Sequence, residues 1–283
     1  MRIHEPFPGV LAFYEGRDAA PRMPGWQGEA QELGIAAYAI VSGDEALVYD
    51  THLSPGHGQA MRNALVGRGI RRFTVLLSHW HTDHVAGNAA FADVPILANA
   101  LTRDLLIAHR ADLATRTPPI DPLVLPTATV ADGEVLRIGT RTVEVRHFDI
   151  HSIDGCTLWL PDTGVLLAGD TLEDTVTYVV EPDRLDAHLV GLDRLAALAP
   201  ARILPNHGAE ARIAQGGYGP GLVDATRTYV ERLLAARSDP ALAAAPLSAF
   251  VAEALDRGEV EAFAPYEAVH AANLARVLDH ADG

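Results

Sequence analysis

The stretch Ser78-His79-Trp80-His81-Thr82-Asp83-His84 constrains this chain more than any other. Three histidines and a carboxylate stand together directly after the apolar run Phe73-Thr74-Val75-Leu76-Leu77. That run is short, β-branched and leucine-rich, which predicts a buried strand. The cluster therefore sits where a strand gives way to a loop. Imidazole nitrogen and carboxylate oxygen are ligands of borderline and hard divalent metals. Four such groups at one strand end point to a metal site rather than to a polar loop that is histidine-rich by chance.

The rest of the chain supplies strands in pairs. Residues 10–14, 35–41 and 46–49 read as strands, with a turn at Asp44-Glu45 and an end at Asp50. Residues 16–33, rich in Gly, Pro and charge, form a loop of the length that shapes pockets. Residues 56–68 have helical spacing. Residues 94–97 are a strand candidate in which Pro95 favours an edge position. Residues 102–109 read as a helix with Thr102 as its cap. After a proline-interrupted stretch come two hairpins, 135–138 with 142–148 and 156–160 with 165–167. An amphipathic helix at 184–198 and a strand at 202–204 follow. Hairpins and helices in two halves predict two mixed sheets, each covered by helix. From Leu222 onward the pattern is helical, so residues 1–210 read as one catalytic domain. Residues 211–283 read as a helical extension packed on it or at a subunit interface between copies.

More donors stand at later strand ends. His151 follows Phe148-Asp149-Ile150, Asp170 closes the 165–169 run, and His207 closes Ile203-Leu204-Pro205-Asn206. His147, inside a strand, competes with His151. If the strand ends share one edge, five histidines and two carboxylates converge there. One tetrahedral zinc needs three or four protein ligands, so seven fit two metals with a carboxylate able to bridge. The other histidines (His4, His52, His57, His109, His188, His270 and His280) read as surface or satisfied core residues.

His79-x-His81-x-Asp83-His84, His151, Ala168-Gly169-Asp170 and Asn206-His207-Gly208, in that order, resemble the motifs of the metallo-β-lactamase superfamily. Asp50 matches that family's first motif. The resemblance covers about residues 10–208. It implies an α/β fold, a four-layer αββα sandwich, with a two-metal site at one edge. Carried over, His79, His81 and His151 would hold the first metal. Asp83, His84 and His207 would hold the second, Asp170 would bridge, and Asp50 would orient a ligand imidazole. Zinc is the expected metal, with iron or manganese as alternatives.

Composition narrows the chemistry. Acids outnumber bases 37 to 22, and every base is arginine. Such a chain without a basic block is a poor candidate for binding nucleic acid or an anionic membrane. The one cysteine, Cys156, excludes an intramolecular disulfide and a Cys-rich zinc motif. No signal peptide or membrane span is read, so a cytoplasmic enzyme acting on a small molecule is expected. The expected reaction is hydrolysis of a lactone, ester or thioester by a hydroxide shared between the metals. Asp83 would pass a proton to the leaving group, and Tyr178 would contact a carbonyl oxygen. Gly216–Gly221 reads as a flexible loop near the mouth, with Tyr218 as an aromatic surface. A one-iron oxygenase resembling persulfide dioxygenases, a β-lactamase and a non-catalytic metal-binding module are the competing readings.

Overall fold

A computed structural model describes residues 1–17, 32–116 and 119–281. Two mixed sheets face each other. The first holds seven strands in chain order: β1 (Arg2–Phe7), β2 (Val10–Glu15), β3 (Ile35–Ser42), β4 (Glu45–Tyr49), β5 (Arg72–Leu76), β6 (Ile96–Ala98) and β7 (Ala128–Thr129). The second contains β8 (Val135–Ile138), β9 (Arg141–His147), β10 (Cys156–Leu160), β11 (Val165–Gly169) and β12 (Arg202–Pro205), in the spatial order β12-β11-β10-β9-β8. β1 to β4 pair antiparallel, and β4 to β7 pair parallel. β11 and β12 are also parallel.

Alternation along the strands builds the layers. Val10, Ala12 and Tyr14 of β2 face the core between the sheets, where Val143, Leu158 and Leu167 also lie. Leu11 and Phe13 face the other way, onto Met61 and Leu65 of the helix Pro55–Gly67. This is the period of two that a strand buried on both faces requires. On the far side, Leu185, Leu192 and Leu195 of the helix Leu185–Ala197 join the core of the second sheet. The result is the αββα sandwich.

Parallel pairing is what gathers the site. Tyr49 lies beside Leu76, and Leu167 beside Leu204, so neighbouring strands end at the same edge. Asp50, Ser78, Asp170 and Asn206 each follow one of these ends. Hydrogen bonds then tie the sheets together there. The phenols of Tyr38, Tyr49 and Tyr14 donate to the carbonyls of Pro205, Cys156 and Gly208 at 2.5, 2.6 and 2.8 Å. Gly169 must be glycine at this edge: its φ is +59°, and a Cβ would come within 2.9 Å of the Tyr49 hydroxyl.

Several sequence expectations need correction. Pro95 precedes β6 instead of marking an edge, because the two-residue β7 covers that side. Asn99, not Thr102, caps the helix Ala100–Ala108, its side chain accepting from Leu101 N–H. Tyr218 offers no aromatic surface. It bridges to Ile203 and is buried, its phenol donating to Asp174 Oδ2 at 2.6 Å. The loop expected at 16–33 lies, from 18 to 31, outside the described residues. No helix among the described residues is long and apolar enough to cross a membrane.

The C-terminal helices share the sandwich core. Leu222, Tyr229, Leu233, Phe250, Tyr266 and Val277 belong to the same buried cluster as Leu166 and Leu204. Also buried there is His188, on the helix Leu185–Ala197. Burial pushes its pKa down to about 4, against about 6.5 in an unfolded chain. Between those values the unfolded chain takes up a proton that the folded chain refuses, so stability falls as pH drops from 6.5 toward 4. His188→Leu removes this contribution. Its loss of unfolding free energy between pH 6.5 and 4.5, measured by denaturant titration, should be smaller than wild type by about 2 kcal/mol. Equal losses would contradict this assignment.

Candidate metal centre

Two donor groups meet at the sandwich edge. In one, ligand atoms of His79, His81, His151 and Asp170 all lie within 4.8 Å of one another. In the other, those of Asp83, His84, Asp170 and His207 do so. Asp170 Oδ2 is the common corner. It lies 3.1 Å from His84 Nε2, 3.4 Å from His207 Nε2, and 3.6 Å from the Nε2 atoms of both His79 and His151. His79 Nε2 and His151 Nε2 stand 2.9 and 3.0 Å from His81 Nδ1. On the other side, Asp83 Oδ2 is 3.2 Å from His207 Nε2 and 3.4 Å from His84 Nε2.

Local structure delivers these atoms. His81 precedes the one-turn helix Thr82–Val85, which carries Asp83 and His84 toward Asp170. Asp50 and His151 both hold positive φ angles, +66° and +68°. Neither residue is glycine, so backbone strain is concentrated at the site.

The outward ring nitrogens are held by acceptors. His207 Nδ1 donates to the Gly34 carbonyl at 2.8 Å, and His151 Nδ1 to the Tyr178 carbonyl at 3.0 Å. His84 Nδ1 meets Asp50 Oδ2 at 2.9 Å, and His79 Nδ1 meets Ser78 Oγ at 2.9 Å. Asp50 also accepts from Ser78 N–H, Ser78 Oγ and Asn206 Nδ2, each at 2.6 Å. A proton on each outward nitrogen leaves the inward lone pair free, which is the tautomer a metal ligand needs. Asp170 Oδ1 is buried without a hydrogen-bond partner among the described residues. Clustered imidazole lone pairs, two carboxylates and an unpartnered buried oxygen are the donor set of divalent metals, and the residues fit such ions.

The electrostatics agree with that fit. Burial disfavours charge on all these groups, yet His84 and His207 hold the carboxylates of Asp83 and Asp170 well below the usual range. In return Asp170 is the leading partner holding His84 and His207 above the usual imidazole range, against burial. Burial and the neighbouring His151 push His81 down to about 3. Without a cation, the two acids thus draw His84 and His207 toward the protonated form.

All seven donors named from the sequence come together here, with Asp50 behind them. His147, on β9, is in neither group; its backbone N–H donates to Asp132 Oδ1. Tyr178 stands beside His151, ring centroids 6.1 Å apart. Ser78 and Asn206, as partners of Asp50, and buried Glu173 are not among the residues named from the sequence. Glu173 Oε1 lies 3.4 Å from His151 Nδ1. The acidic pair Glu173-Asp174, beginning three residues after Asp170, was the available signal.

The profile of the Metallo-beta-lactamase superfamily matches residues 30–241. Among curated relatives, the atrochrysone carboxyl ACP thioesterase nsrC of Aspergillus novofumigatus is 26% identical over 211 residues, 72% of this chain and 58% of that protein. The hydroxyacylglutathione hydrolase of Rhodobacter capsulatus is 33% identical over 134 residues, 47% of each chain. The chain spans about half the length of the curated relatives it matches. Among solved structures, the DIM-1 metallo-beta-lactamase has a TM-score of 0.63 at 17% identity, covering 81% of this chain and 96% of that one. A metallo-beta-lactamase family protein from Thermus thermophilus has a TM-score of 0.64 at 19% identity. That match covers 97% of this chain and 94% of the other. At these identities the structural likeness speaks for the fold.

Proposed function

The chain belongs to the metallo-β-lactamase superfamily, and from that premise we propose that it is a two-metal hydrolase of small carbonyl esters, thioesters foremost. The observation that carries the proposal is Asp170, shared between two donor groups, with its Oδ2 within 3.6 Å of four imidazole nitrogens. His79, His81 and His151 would hold one divalent metal and Asp83, His84 and His207 the other, with Asp170 within reach of both. Zinc suits this nitrogen and oxygen set, with iron and manganese as alternatives. When bound, such a pair supplies a water that ionises near neutral pH and a Lewis acid for the bond under attack.

The protein's own groups do the rest. Asp83 is the more exposed of the two carboxylates, at 9% against 4%, and we assign it proton transfer to the leaving group besides ligation. The Tyr178 phenol makes no hydrogen bond among the described residues, and we assign it contact with the substrate carbonyl oxygen. Thioesters lead the substrate classes because two relatives are named as a thioesterase and a hydroxyacylglutathione hydrolase. The single-iron alternative would use His79, His151 and Asp170 and leave Asp83, His84 and His207 without a metal to hold.

Purified protein reconstituted with zinc, manganese or iron, then assayed on thioesters, lactones, β-lactams and phosphodiesters, tests the reading. Turnover of thioesters that is lost on chelation is expected. Hydrolysis of none of the ester classes, or activity only as a one-iron oxygenase, would overturn it. A further expectation concerns Asp50. Asp50→Asn weakens the charged acceptor behind His84 and should loosen metal at that subsite by roughly ten- to a hundredfold. Competition with a chromophoric chelator measures this, and unchanged affinity would remove Asp50 from the account.

A further inference from the structure

The segment after Asp170 is held from the far end of the chain. Glu173, 2% exposed, accepts from Tyr178 N–H at 3.0 Å through the same Oε1 that approaches His151 Nδ1. Its Oε2 accepts from the Tyr266 phenol at 3.1 Å. Asn273 is fully buried and grips both sides of Tyr178. Its Oδ1 accepts from Val179 N–H at 2.8 Å, and its Nδ2 donates to the Thr177 carbonyl at 3.0 Å. Behind it, Asn273 Nδ2 donates to Tyr229 Oη, Tyr229 donates to His270 Nδ1, and His270 Nε2 donates to the Ala245 carbonyl, each at 3.1 Å. Donation in this one direction satisfies the whole row.

Tyr266 and Asn273 lie on the last helix, Tyr266–Ala281, beyond residue 241 where the family match ends. We propose that they are positioning residues for His151, acting through Glu173 and the Tyr178 carbonyl, so that the last helix sets metal affinity at the His79–His81–His151 subsite. The inference rests on the two-metal reading above. His151 sits on a strained backbone, so its ring is aimed by what its Nδ1 meets. A carboxylate and a carbonyl behind a ligating imidazole fix its tautomer and raise its basicity. Without the Tyr266 hydroxyl, Glu173 Oε2 is buried and unpartnered, and the carboxylate turns from His151. Without the Asn273 amide, the peptides on either side of Tyr178 lose their anchors.

The test is cobalt(II) titration of the metal-free full chain, followed by visible absorption. His151→Ala and Asp83→Ala identify which spectral step belongs to which subsite. Tyr266→Phe should weaken the step lost in His151→Ala by roughly ten- to a hundredfold and leave the other unchanged, with the thermal midpoint within a few degrees of wild type. Asn273→Ser, read on the same two signals, carries the test if Tyr266→Phe does not fold. Equal affinities in variant and wild type, or equal weakening of both steps, would overturn the proposal. Wild type that takes up fewer than two cobalt ions would overturn the two-metal reading itself. That outcome appears before any variant is made, so the two failures are distinguishable.

Discussion

Asp170→Ala is expected to empty both metal positions at once and to lower kcat/KM by more than about a hundredfold, beyond what loss of an outer partner costs. The reason is geometric: Asp170 belongs to both donor groups. His81→Ala removes a donor from only one group and should leave the second metal in place. Metal content per chain after desalting separates the two variants. The fold should survive Asp170→Ala. Burial opposes charge on His84 and His207, and Asp170 is the leading partner that opposes it, so without Asp170 burial favours neutral imidazoles over unpaired buried cations. Retention of two metals by Asp170→Ala would contradict the shared corner.

Deleting everything after Gly208 should have the largest effect on stability. The truncated chain loses Tyr218 from its bridge to Ile203 and its bond to Asp174. It also loses Tyr229, Leu233, Phe250, Tyr266 and Val277 from the core they share with the second sheet. Each buried apolar side chain contributes about 1.5–3 kcal/mol, and a whole domain has only about 5–15 kcal/mol in hand. No cooperative unfolding transition is therefore expected in the truncated chain by circular dichroism or calorimetry. A soluble product that melts cooperatively and binds two metals would show the extension to be dispensable.

Legibility divided along a physical line. The donors could be read because local sequence marks strand ends, and histidine and aspartate stood at those ends. Parallel register then did the gathering, through pairs such as Leu167 with Leu204. β1 escaped because Arg2-Ile3-His4-Glu5-Pro6-Phe7 is an edge strand, only partly buried and containing proline. The glycines around Tyr218 suggest freedom, whereas the residue is buried. Yet Gly217 has φ +77° and its Cβ would meet the Ile203 carbonyl at 2.2 Å, so glycine there permits close packing. Tyr266 and Asn273 carry no local signal. Their roles arise from contacts across some 90 residues of chain.

The most direct measurement is anomalous diffraction from crystals of the metal-loaded protein at the zinc, iron and manganese edges. Two peaks are expected roughly 3.5–4 Å apart, one among His79, His81, His151 and Asp170, the other among Asp83, His84, Asp170 and His207. A single peak, or peaks that do not share Asp170, would contradict the account.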